Sequence, residues 1–109
     1  MGCDAIVVTA ITADGLNDVL EEAIDDGIVV VNFDNMSSST DLTSKVTVSD
    51  YDFGRLCGEW LGEQLPDGGN VIELNGTAGT STDTNRAKGM EEGLAAKSPD
   101  CEIVASVNA

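Results

Sequence analysis

Two rhythms of apolar positions alternate along this chain. Ala5-Ile6-Val7-Val8-Thr9 and Ile28-Val29-Val30-Val31-Asn32-Phe33 are short continuous runs, the pattern of strands buried on both faces. Between them, Leu16, Val19, Leu20, Ala23 and Ile24 recur at the spacing of one helical face. Thr12-Ala13-Asp14 offers the helix a start, and Gly27 closes it as a left-handed residue. Strand, helix and strand make one βαβ unit with a short connection, expected to be right-handed. Asp34 stands at the carboxyl tip of the second strand.

The pattern then changes. Asn35 to Ser44 is polar, with Ser37, Ser38, Ser39 and Thr40 in a row, and reads as a surface loop. Val46-Thr47-Val48 is a short strand leading to Ser49-Asp50. Helical spacing resumes with Phe53, Leu56, Cys57, Trp60 and Leu61, an apolar face expected to be core. Pro66-Asp67-Gly68-Gly69 is a turn, and Val71-Ile72-Glu73-Leu74 is the next strand. After a Gly/Thr/Ser loop, a third helix turns Ala87, Met90 and Leu94 inward, with Thr82, Asp83 or Thr84 as caps. Pro99-Asp100 breaks it, and Ile103-Val104-Ala105 starts a last strand. The fold class is α/β, in two βαβ-like units that part near Ser49, residues 1–48 and 49–109.

Composition narrows the functions. Twenty acidic residues against five basic ones give a net charge of −15 over 109 residues. Such a surface repels nucleic acid and anionic lipid, so neither is an expected partner. Abundant Asp and scarce Lys also fit a salt-adapted source. Cys3, Cys57 and Cys101 are widely spaced and there is no histidine, so no metal site is expected and the thiols read as small buried side chains. No run approaches the roughly 20 apolar residues of a membrane helix. The first residues lack the basic and apolar regions of a signal peptide, and Met1-Gly2-Cys3-Asp4 stands one step before a buried strand. This looks like a start inside a larger gene or at an artificial boundary.

The stretch from Asn70 to Gly89 carries the most specific pattern: strand, Gly76, Gly79, Thr80, Ser81, then Arg86 and Gly89 at a helix start. It resembles the strand, G-x-x-G-[ST]-S, R-x-x-G segment of the sugar-binding proteins of bacterial ABC importers, the ribose-binding-like periplasmic binding proteins of type I. The resemblance covers nearly the whole chain. Residues 2–35 look like the last two βα steps of the first lobe, and the helix after Ser49 looks like the one that follows the hinge. It implies a Rossmann-like three-layer α/β/α fold in which this chain is an internal fragment, carrying parts of two lobes joined at a hinge.

Five residues become candidates for ligand binding. Asp34 could accept two hydrogen bonds from neighbouring sugar hydroxyls or cap the next turn; position alone weighs these equally, and the resemblance favours the ligand. Asn35 stands where the family often has Arg, and its amide can both donate and accept. Arg86, one of two arginines, offers a planar fork for vicinal hydroxyls, or a salt bridge to Asp83, Glu91 or another acid. Its match to the arginine of R-x-x-G favours the ligand. Ser49 matches a polar hinge position and is equally an N-cap. Thr77 follows Gly76 at a strand tip and could line the cleft, although the family more often packs this position. Asp34 from one lobe and Arg86 from the other would grip the ligand on closure.

The resemblance implies a non-enzyme with no cofactor. It would bind a monosaccharide-like ligand outside the membrane, periplasmic or lipid-anchored, and deliver it to permease subunits. The sequence argues against a LacI-type regulator, whose L-x-x-x-G-H-[RK]-x-I is replaced here by Leu65-Pro66-Asp67-Gly68-Gly69-Asn70-Val71-Ile72. A flavodoxin-like or receiver domain lacks its acidic pair and late Lys. The glycine loop lacks the Lys-Ser/Thr of a P-loop, although free N–H groups at the helix start could hold an anion. Without histidine, a nucleophile has no such base to activate it. Alone, the chain is expected to bind weakly and to oligomerise by strand or segment exchange, because strand edges stay open.

Overall fold

The computed structural model describes residues 2–109, which divide into two compact units, residues 2–48 and 49–109.

In the first unit, strands β1 (Ala5–Val8), β2 (Val29–Phe33) and β3 (Ser44–Val46) form a parallel sheet in the order β1-β2-β3. Ala5 pairs with Val29, and Val31 with Ser44. Helix α1 (Asn17–Asp25) connects the first two strands. Leu20 and Ala23 pack with Val30, and Ile6, Val8, Ile24, Ile28 and Leu42 close round them. The helix ends as the sequence predicts. Gly27 has φ 81°, its N–H reaches Ile24 O at 2.9 Å, and Ile28 N–H reaches Ala23 O at 2.9 Å. This pair of bonds satisfies carbonyls that the helix end would otherwise leave open.

Two expectations fail here. The strands are not buried on both faces: Val30 and Asn32 are fully buried, whereas Val7 is 70% exposed and Val29, Phe33 and Val46 are also open. Among the described residues of this unit a single helix covers a single face, and a strand needs two layers to bury both. The helix also starts at Asn17 rather than near Thr12, with no side-chain cap at Leu16. The residues ahead of it are otherwise engaged. Ala13 O accepts Ser38 N–H at 2.8 Å, and Asp14 accepts the Ser38 hydroxyl.

In the second unit, α2 (Asp50–Gln64) and α3 (Ser81–Lys97) pack against each other, and β4 (Gly69–Asn75) pairs in parallel with β5 (Cys101–Asn108). The sequence placed the core of α2 on the wrong face. Phe53, Leu56 and Trp60 are more than half exposed and Cys57 is exposed, while Gly54, Gly58 and Gly62 are buried. Gly54 and Gly58 meet the α3 backbone at Arg86 and Met90, and Gly89 and Gly93 of α3 meet the α2 backbone at Tyr51 and Arg55. A Cβ on Gly58 would stand 2.1 Å from Met90 O, and one on Gly89 2.1 Å from Tyr51 O. The helix backbones approach too closely for any side chain, so the interface selects glycine at four-residue spacing, and the apolar stripe is turned away. Leu94 is buried and Ala87 and Met90 are half-buried, as the spacing of α3 predicts. Its cap is Thr80, whose hydroxyl accepts Asp83 N–H at 3.2 Å, and none of Thr82, Asp83 and Thr84.

The thiols are corrected as well: Cys3 and Cys57 are exposed, Cys101 is half-buried, and all three are free.

Candidate functional site

Parallel strands bring their carboxyl ends to one edge, where open α/β sheets bind ligands. In the first unit, that edge carries Asp34. It follows β2 directly, with φ 60°, a left-handed conformation that Asp tolerates better than most residues. Its N–H donates to Val46 O (3.1 Å) and its carbonyl accepts from Thr47 Oγ1 (3.1 Å). The carboxylate is exposed, takes a long bond from Asn35 Nδ2 (3.4 Å), and enters no salt bridge among the described residues. Asn35 is half-buried and its carbonyl accepts Ala10 N–H at 3.0 Å.

The loop beyond Asp34 is held from below by a residue that sequence reasoning missed. Asn32 is 0% exposed. Its Nδ2 donates to Val8 O (2.9 Å), Asn35 O (2.9 Å) and Phe33 O (3.3 Å), and its Oδ1 accepts Ser37 N–H (2.7 Å). Ser37 Oγ donates to Asn17 Oδ1 (2.6 Å), Asn17 Nδ2 donates to Ser38 Oγ (2.7 Å), and Lys45 Nζ donates to Ser37 O (2.9 Å). The serine run is therefore no simple surface loop: Ser37 and Ser39 are buried. A polar residue inside an apolar run was the signal for Asn32.

In the second unit, Ser49, Asp50 and Arg86 cluster where α2 and α3 begin. Ser49 caps α2, its hydroxyl accepting Asp52 N–H at 3.2 Å. That hydroxyl and then Arg55 hold the Asp52 carboxyl below its ordinary range. Arg86 is ion-paired, as one of its two readings allowed, but to Asp50 and to neither Asp83 nor Glu91: Nε lies 2.8 Å from Asp50 Oδ1. Its guanidinium carbon stands 4.8 Å from the centroid of the Phe53 ring, within cation–π range. Thr77 is exposed and belongs to a different set of bonds, its carbonyl accepting the Thr80 hydroxyl at 3.0 Å. The glycine loop is no open anion cradle. Gly76 N–H donates to Asp83 Oδ1 (2.7 Å), and Asn108 Nδ2 donates to Asp83 Oδ2 (3.1 Å). A carboxylate of the chain already fills the place an anion would take.

Among the described residues, no cluster of His, Cys, Asp and Glu could hold a metal ion, and no helix is long and apolar enough to cross a membrane.

These features define a parallel α/β protein of two units with polar side chains at strand ends and helix starts. Comparison with known proteins narrows the class. Residues 1–109 match the periplasmic binding protein domain, and the chain belongs to that family. It is 34% identical over 109 residues to the galactofuranose-binding protein of Escherichia coli, covering 96% of this chain and 34% of that protein. It is 32% identical over 104 residues to the xylitol-binding protein of Mycolicibacterium smegmatis, covering 95% of this chain and 30% of that one. The periplasmic binding protein component of the arabinose ABC transporter from Shewanella sp. ANA-3, solved with α- and β-L-arabinofuranose, superposes with a TM-score of 0.89 at 29% identity, over 98% of this chain and 36% of that one. The fold is thus of the type I periplasmic binding protein kind, as the resemblance implied. The chain spans about a third of the length of these relatives.

Proposed function

We propose that this chain is part of the sugar-binding component of an ABC importer, with residues 1–48 in the first lobe and 49–109 in the second. The observation that carries this reading is the Asp34 carboxylate. It is exposed at the carboxyl end of the central parallel strand and held by its backbone rather than by a cation. A carboxylate so placed can take two hydroxyl donors of a sugar ring. Arg86, Ser49 and Thr77 in the second unit and Asn35 in the first are the further candidate contacts, each taken within its own unit. The relatives' names supply the ligand class. The work is binding and delivery to permease subunits outside the membrane, with no covalent step and no cofactor.

The test is calorimetric titration of the full-length gene product with D-ribose, L-arabinose, D-galactose and xylitol. At least one binds, and Asp34→Ala and Arg86→Ala each weaken it by more than about tenfold, the scale of a lost charge-assisted hydrogen bond. Unchanged affinity in both variants refutes the assignment of the site, and silence of the wild type towards all four probes refutes the sugar reading.

A further inference from the structure

Arg86 does not present its whole fork. Asp50 is the first residue of α2, where a negative charge also suits the helix dipole. Its side chain is only 12% exposed, against 44% for Arg86. Both carboxylate oxygens are engaged: Oδ1 accepts Arg86 Nε at 2.8 Å, and Oδ2 accepts Thr82 Oγ1 at 3.2 Å. Phe53, three residues further along α2, lies under the guanidinium at 4.8 Å. One edge of the fork is thus fixed by a carboxylate and its plane by a ring. The Asp50 pair uses Nε and leaves the terminal Nη groups outside it.

We propose that Asp50 is the positioning residue of the binding site and a filter on ligand charge. It orients Arg86 so that the Nη edge meets a neutral polyol, and it cancels the guanidinium charge so that a sugar acid gains little. This rests on the reading of Arg86 as a ligand contact. A ligand carboxylate could still pair end-on with the two Nη groups, but with Asp50 on Nε it meets a guanidinium whose charge is already paired. A ligand carboxylate would also enter the field of a chain with net charge −15. A surface ion pair alone would carry little weight. Here the acid is mostly buried, anchored by a second donor and set beside an aromatic ring, which makes it a support rather than a chance neighbour.

The test uses the full-length gene product with Asp50→Asn and Asp50→Ala. NMR exchange of the Arg86 Nε–H is read together with titrations of D-ribose, L-arabinose, D-galactose and xylitol, and of the anions D-galacturonate and D-ribonate. In the wild type the Nε–H exchanges slowly and a neutral probe binds. Asp50→Ala speeds the exchange and weakens the neutral probe about tenfold, as loss of one charge-assisted partner does. Asp50→Asn keeps an acceptor and loses the charge, so the neutral probe weakens less than in Asp50→Ala while an acid binds about tenfold tighter than to the wild type. That gain of anion binding is something a merely structural role would not produce. Unchanged exchange and affinity in Asp50→Ala overturn the positioning role. An Asp50→Asn protein that folds yet gains no anion overturns the filter. A wild type with slow Nε–H exchange that binds no neutral probe overturns the sugar reading instead, and this proposal falls with it.

Discussion

The amide of Asn32 makes four bonds from a position that solvent does not reach, and it joins the end of β1 to the loop that follows Asp34. Replacing it with Val would keep the volume roughly and strand a buried N–H and several carbonyls. We expect Asn32→Val to destabilise the chain by about 3 kcal/mol, the sum of a few unsatisfied groups after partial relaxation. Urea unfolding measures it, and a loss below about 1 kcal/mol would show that water replaces the amide. Asn32 was visible in the sequence as a polar interruption of an apolar run, but its partner Val8 lies 24 residues away at the end of β1, and no local spacing announces it. Asp34 and Arg86 were legible because a strand tip and a motif both mark their positions. The Asp50 partner of Arg86 was not, because it lies 36 residues away on another helix.

Helix pairing shows a different limit. On α2 the apolar stripe and the glycine stripe are both plain in the sequence, and the rule that apolar faces seek the core chose the wrong one. Backbone proximity decided otherwise: α2 and α3 approach until only glycine fits. The consequence can be measured by comparing two alanines. At Gly58 a Cβ would meet Met90 O at 2.1 Å and Leu94 N at 2.7 Å, both backbone atoms that move only with the helix. At Gly62 one atom is that close, the Cβ of Lys97 at 2.6 Å, which is fixed to its own backbone, and the nearest backbone atom is Leu94 O at 3.2 Å. Alanine gains about 1 kcal/mol of helix propensity at either position. Overpacking costs about 1–3 kcal/mol and falls at the upper end where backbone must shift. Gly58→Ala should therefore destabilise by about 2 kcal/mol net, and Gly62→Ala by less, about 1 kcal/mol. Equal losses at the two positions would show that the backbone contacts at Gly58 cost no more than the single Lys97 Cβ contact at Gly62. The cross-helix pair Lys97–Glu63 at 2.9 Å does not decide this balance, since both side chains are exposed and such pairs contribute little.

At the scale of the whole molecule, the apolar runs are less buried in the structure than their pattern implies. Runs that read as two-sided strands are covered on one side. Val7, Ile72 and Leu74 lie open at 70%, 67% and 78%, and Phe53, Leu56, Cys57 and Trp60 line a shared apolar groove on α2. The residue pattern was written for a larger core than the described residues assemble, which accords with relatives about three times as long. Prepared as these 109 residues alone, the chain should therefore self-associate through its open faces and strand edges. Charge opposes this: at −15 the copies repel over a distance set by the salt. The sign of the salt effect follows. Raising sodium chloride from about 0.01 M to 1 M shortens the screening length from about 30 Å to about 3 Å and leaves the apolar contact intact, so association should strengthen with salt. Sedimentation velocity at micromolar concentration reads the species, and Trp60 emission reads the groove, shifting to the blue as it is covered. A monomer at both salt concentrations, with Trp60 emission typical of water, would show that the exposed faces are tolerated as they stand. Association that weakens with salt would assign the contact to ion pairs instead of to the apolar faces.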